Sequence, residues 1–112
     1  MPGVIKKLAG PLALTGTYTT NVYVPASALV YDVIRHIHIA NKDTVARTFR
    51  LYLGATGANA AGTELFFDKS IAAGDVYDWY GVLKVTSTDF LVGGASAVTT
   101  LTITISGESY VV

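Results

Sequence analysis

Residues 98–106 read Val-Thr-Thr-Leu-Thr-Ile-Thr-Ile-Ser. Leu101, Ile103 and Ile105 fall on one side of a period-two pattern, and Thr100, Thr102, Thr104 and Ser106 on the other. Successive side chains of a strand point to opposite faces, so this segment predicts a strand with one apolar and one hydroxyl-rich face. Such a strand lays one side on a core and keeps the other at water or a polar neighbour.

The design recurs along the chain. Residues 17–24 alternate weakly and stop at Pro25. Residues 29–40 form a long β-rich run through Val30, Val33, Ile34, Ile37 and Ile39, closed by the turn residues Asn41-Lys42-Asp43. Residues 47–53 follow, with Phe49, Leu51 and Leu53 expected inward and Thr48, Arg50 and Tyr52 outward. The closeness of these two runs predicts an antiparallel pair. Residues 54–62 are Gly-Ala-Thr-Gly-Ala-Asn-Ala-Ala-Gly, a loop, since three glycines oppose a helix. Residues 64–68, 76–80 and 89–92 supply further short strands, residues 70–73 carry Ile71 and residues 82–85 are a brief apolar piece, with turns at Gly74-Asp75 and at Gly93-Gly94-Ala95-Ser96. Residues 110–112 close as a small edge strand.

About eight short strands with turn signals every ~8–12 residues predict an all-β fold, a sandwich or barrel. No window shows a persuasive helical period. Gly3, Gly10 and Pro11 punctuate residues 1–15, which read as an N-terminal arm where Val4-Ile5 and Leu12-Ala13-Leu14 could add short strands, leaving residues 16–112 as a single antiparallel β-sandwich domain.

Several stretches together resemble a family of small all-β virion structural proteins of tailed bacteriophages. They are Tyr23-Val24-Pro25-Ala26, Ile34-Arg35-His36-Ile37-His38-Ile39-Ala40-Asn41, residues 48–54 with the Gly/Ala loop, Ile71-Ala72-Ala73-Gly74-Asp75, and Leu101-Thr102-Ile103-Thr104-Ile105-Ser106-Gly107. The match spans residues 20–107 and consists of turn-and-strand patterns without chemistry. Thr86-Ser87-Thr88-Asp89 departs from it, where related proteins often carry a cleaner Gly-Asp turn. The resemblance implies a jelly-roll-like or immunoglobulin-like sandwich. It also implies a capsid decoration or cementing role, or a minor tail or neck role, as a homo-oligomer, commonly a trimer. The partners are then the major capsid protein or tail and neck subunits, on the surface of a virion whose proteins are made in the host cytoplasm.

Composition narrows the function. Eight basic and eight acidic residues balance, so the excess of positive charge that duplex binding needs is missing, and nucleic acid is not expected as a partner. Charged residues make up 14% of the chain against ~25% in ordinary domains. Either the surface is mostly Thr, Ser and Gly, or other subunits cover much of it. The chain has no cysteine, which excludes disulfides. Lys6-Lys7 before Leu-Ala-Gly-Pro-Leu-Ala-Leu makes a poor signal peptide, because the apolar run is short and broken by Gly10-Pro11. No stretch approaches ~20 apolar residues, so no membrane partner is expected.

Candidate chemistry is sparse. His36 and His38 share a strand face, with Asp32 expected on that face. A zinc site needs a third or fourth ligand, which another strand would have to supply, so no metal and no other cofactor is expected. Asp75 and Asp78 lack the placement of a glycosidase pair. There is no Gly-x-Ser-x-Gly elbow and no phosphate-binding Gly-x-x-x-x-Gly-Lys loop. No enzyme is expected. Tyr77, Trp79 and Tyr80 form the densest aromatic cluster, read as core, subunit interface or sugar platform. A carbohydrate-binding module is therefore the rival to a virion subunit. Arg35, Arg47 and Arg50 gather on the expected hairpin, as solvated edge charges or as partners for a neighbour's carboxylates.

Overall fold

A computed structural model describes residues 4–54 and 61–111; most of the Gly/Ala loop lies outside the described residues. Eight strands make two sheets. In chain order they are β1 (Val4–Ala13), β2 (Thr20–Tyr23), β3 (Val30–Asn41), β4 (Arg47–Gly54), β5 (Glu64–Ile71), β6 (Val76–Val85), β7 (Phe90–Ala95) and β8 (Leu101–Val111). One sheet has the order β1-β8-β3-β6 and the other β2-β7-β4-β5, with all pairings antiparallel. The all-β sandwich expected from the alternating pattern is what the chain forms. Apart from β4 and β5, every pair of consecutive strands lies in different sheets. This interleaving is the jelly-roll arrangement and not the immunoglobulin one, whose first two strands share a sheet. Among the described residues no helix is long and apolar enough to cross a membrane.

The inward residues of both sheets meet in one core. Ile34, Ile37, Ile39, Leu101, Ile103 and Ile105 come from the first sheet, and Phe49, Leu51 and Leu91 from the second. All of them are shielded from solvent. Phe49 packs its ring 5.4 Å from Phe66 and 5.8 Å from Tyr77.

A bulge at Arg35 sets which side of β3 faces the core. The pairing to β8 runs Ile34↔Gly107 and then His36↔Ser106, so Arg35 is an extra residue. Before it, Asp32 and Ile34 are buried; after it, Ile37, Ile39 and Asn41 are. An inserted residue reverses the alternation, as a period of two requires. Gly107 permits the kink, since a Cβ there would lie 2.0 Å from the Val33 carbonyl oxygen.

Four local expectations are corrected. Residues 30–41 and 47–54 do not pair as a hairpin, because β3 and β4 lie in facing sheets. Asn41 holds the chain at this corner: its buried amide donates to the carbonyls of Val45 (3.0 Å), Ile71 (2.9 Å) and Ala72 (3.2 Å). Its Oδ1 accepts from the Asp43 N–H at 2.9 Å. Residues 4–13, drawn as part of an arm, form β1, paired along β8. Gly93-Gly94-Ala95, drawn as a turn, ends β7. These two glycines serve close approach: a Cβ would meet the Arg50 carbonyl oxygen at 2.1 Å and that of Thr17 at 1.8 Å. Residues 110–111 are not a separate strand; they continue β8 and pair with Tyr31 and Val30 of β3.

Candidate functional site

Two features of β6 stand apart from ordinary packing. β6 is an edge strand whose odd residues face the sandwich interior and whose even residues face outward. Tyr77 and Trp79 are therefore interior residues, while Tyr80 is exposed. Tyr77 meets Phe66 edge-on at 5.7 Å. Trp79 lies over Gly81, where a Cβ would stand 2.5 Å from indole Cζ2. A larger residue at position 81 would displace the indole.

The interior is open along this side. β5 and β6 follow one another in sequence but do not hydrogen-bond, since each is the edge of a different sheet. Between them runs an apolar groove of about 140 Å³ lined by Ile37, Leu65, Phe66, Trp79 and Leu83. Of its lining residues Leu65 stands at the rim, 37% exposed.

On the outer face, β3 and β6 bring together three potential ligands. His38 pairs with Asp78 and His36 with Tyr80 in the strand register. His36 Nε2 and His38 Nδ1 donate to the same oxygen, Asp78 Oδ1, at 2.7 and 2.6 Å. Tyr80 stacks flat on the His36 ring, 4.5 Å between centroids. The hydrogen bonds from His38 and then His36 hold the Asp78 carboxyl below the usual carboxylate range. Asp32, expected beside the histidines, is on the opposite face because of the Arg35 bulge. It is buried, accepting hydrogen bonds from the hydroxyls of Tyr23 and Ser109. Burial, and then the bond to Asp32, push the Tyr23 phenol above its ordinary value. Because Tyr23 comes from the opposite sheet, Tyr23→Phe leaves a buried carboxylate oxygen short of a donor. A loss of about 1–3 kcal/mol in unfolding free energy is expected by urea titration. An unchanged midpoint would contradict this role.

The three arginines do not form one cluster. Arg35, on the first sheet, pairs with Glu108 at 3.2 Å. Arg47 pairs with Asp43 at 2.7 Å. Arg50 grips Asp68 with two bonds of 2.7 and 3.1 Å, its guanidinium 4.3 Å from the Tyr18 ring and 4.0 Å from that of Phe67. Each thus has a carboxylate within its own chain. The Thr44 N–H and Arg47 keep Asp43 below the ordinary carboxylate range, and Arg50 does so for Asp68. A carboxyl depressed in the folded state contributes its stabilisation fully above its unfolded value of ~3.9 and loses it as pH falls through the lower folded value. The thermal midpoint is therefore expected to hold from pH 7 to 5 and to drop below about pH 4. Scanning calorimetry across that range checks it; a midpoint flat down to pH 2 would count against these pairs.

Asp78 is the site residue that the sequence does not link to the histidines; there it is weighed only as a carboxylate pair with Asp75, which it does not form. Only the β3–β6 register puts it beside the histidines, 40 residues along the chain from His38 and 42 from His36.

No protein-family model and no curated protein matches this chain. Among solved structures, it is similar to one of infectious bursal disease virus, Gx strain, with a TM-score of 0.44 and 8% identity over 96% of this chain and 30% of that chain. For the Gt strain of the same virus the TM-score is 0.46 and the identity 9%, over 96% of this chain and 32% of the other. The chain thus spans less than a third of the length of either viral chain.

Proposed function

We propose that this chain is a non-enzymatic structural subunit of a tailed-bacteriophage particle. It self-associates along the β5–β6 edge and cements neighbouring capsid subunits at the particle surface. The observation that carries the reading is the open side of the sandwich. Two unpaired sheet edges flank an apolar groove, and an exposed edge is a template for pairing with another chain. Contiguous apolar surface of this kind marks interaction sites.

Three further points support it. A low charged fraction suits a surface that other chains cover. The sequence stretches that resemble small virion proteins include the end of β3 and most of β8, which build the centre of the first sheet. The three arginines are paired within the chain, so the reading rests on apolar contact along the groove and not on them. A ring of copies then binds a capsid lattice through several modest contacts that reinforce one another by effective concentration.

The occupant of the groove in this reading is a second copy of the same chain. The purified protein is expected to sediment as an oligomer, a trimer by the family resemblance. Leu65→Asp, a change at the half-open rim of the groove, is expected to shift it to monomer with its thermal midpoint nearly kept. A wild-type chain that sediments as a monomer at all concentrations would remove the edge as an interface. Immunogold labelling of purified particles tests the location: label on the capsid supports it, label on tail or neck moves the subunit there, and bare particles overturn the virion reading.

A further inference from the structure

We propose that His36, His38 and Asp78 form a binding site for one first-row divalent transition-metal ion, on the outer face of the β3–β6 pair. The inference is independent of the assembly reading, because all three side chains belong to one chain.

The donor set fits the chemistry. Imidazole nitrogen and carboxylate oxygen suit zinc and its neighbours in the series. One ligand atom from each residue lies within 4.8 Å of the others. In a tetrahedral zinc site with bonds of 2.0–2.1 Å, ligand atoms stand ~3.3 Å apart. The present contacts of 2.7 and 2.6 Å must therefore open by less than an ångström, and the two ring nitrogens, within 4.8 Å of each other, must close by up to about 1.5 Å. Side chains that are 29%, 39% and 31% exposed have room for that adjustment. The backbone needs none, since two hydrogen-bonded strands already hold the three Cα atoms in register.

Protons also balance. Both ring nitrogens that face Asp78 now carry hydrogen, since an ionised carboxylate only accepts. On metal binding the proton on each of these nitrogens passes to the other ring nitrogen or to solvent, so that His36 Nε2 and His38 Nδ1 offer lone pairs. The carboxylate then faces the cation in place of two N–H groups. Tyr80, stacked on His36, fixes that ring's plane and lowers the entropy lost when it coordinates. Three protein ligands leave a fourth position for water, the arrangement of an open site.

Zinc titration of the full-length chain by calorimetry tests this directly, with cobalt as a spectroscopic probe. One zinc per chain is expected, with visible cobalt bands of tetrahedral intensity. The chain has only two histidines, so both imidazole signals in the proton–carbon NMR spectrum belong to this site and should shift together. His38→Ala and Asp78→Asn should each weaken zinc at least about tenfold. Absence of binding at millimolar zinc overturns the proposal. Binding that leaves either imidazole signal unmoved, or survives intact in both ligand variants, overturns it too. The NMR arm uses the unaltered chain, so it decides even if a variant folds poorly.

Discussion

Phe49→Ala is expected to cost about 3–5 kcal/mol of unfolding free energy, the range for emptying an aromatic site in a packed core. Phe49 is fully buried on β4, and its ring meets Phe66 of the neighbouring strand β5 and joins the second sheet to the first through Tyr77. Deleting it removes the shared neighbour of both rings. Phe66 lines the open groove, so the vacancy is filled from that side. Relaxation would come from the groove side, by Phe66 and Trp79 moving inward. That gives the prediction a second readout. Tryptophan fluorescence should change in the folded variant, because Trp79 is the chain's only tryptophan. Urea unfolding measures the energy; a loss under 1 kcal/mol would mean that the two sheets are not joined through this ring.

Asn41→Ala should follow, at about 2–4 kcal/mol. The Asn41 amide satisfies three carbonyls and its oxygen one N–H, where the chain turns from β3 towards β4 and touches the end of β5. A methyl group satisfies none of them, and a buried polar group left alone costs ~1–3 kcal/mol. The groups nearest the surface can find water, which keeps the sum below a simple total. Asn41→Asp is a sharper probe. It retains an acceptor for the Asp43 N–H but sets a carboxylate against three carbonyl oxygens. It should therefore be at least as damaging near neutrality, and milder at a pH low enough to protonate it. Paired urea titrations at pH 7 and 4 measure this, and equal losses at the two pH values would show that charge is not the cause.

These two residues also separate what a local pattern can carry from what it cannot. Phe49 was readable as core because Arg47 to Leu53 alternates cleanly and a strand has only two faces. Asn41 was readable as a turn residue, but not as the corner of a sandwich. A turn of the same composition can close a hairpin or send the chain to the facing sheet. The choice rests on carbonyls of Ile71 and Ala72, thirty residues away. The Arg35 bulge is a second case. The run from Val30 to Asn41 is apolar enough on both sides to hide one extra residue, so Asp32 and the histidines seemed to share a face. Gly93 and Gly94 are a third: glycine in sequence signals a turn or a close approach with the same letter.

From the chain alone came the alternation that makes strands, the absence of any helix period, the apolar stripe of β8 and the poverty of conventional catalytic motifs. Each is a property of neighbours in sequence, where geometry is set by a period of two. Tertiary structure decided the jelly-roll interleaving, the open β5–β6 side, the inward turn of Trp79 and the meeting of Asp78 with His36 and His38. All of these depend on which distant strands pair and in what register. A register is settled by the sum of core contacts across both sheets, so no single segment contains it.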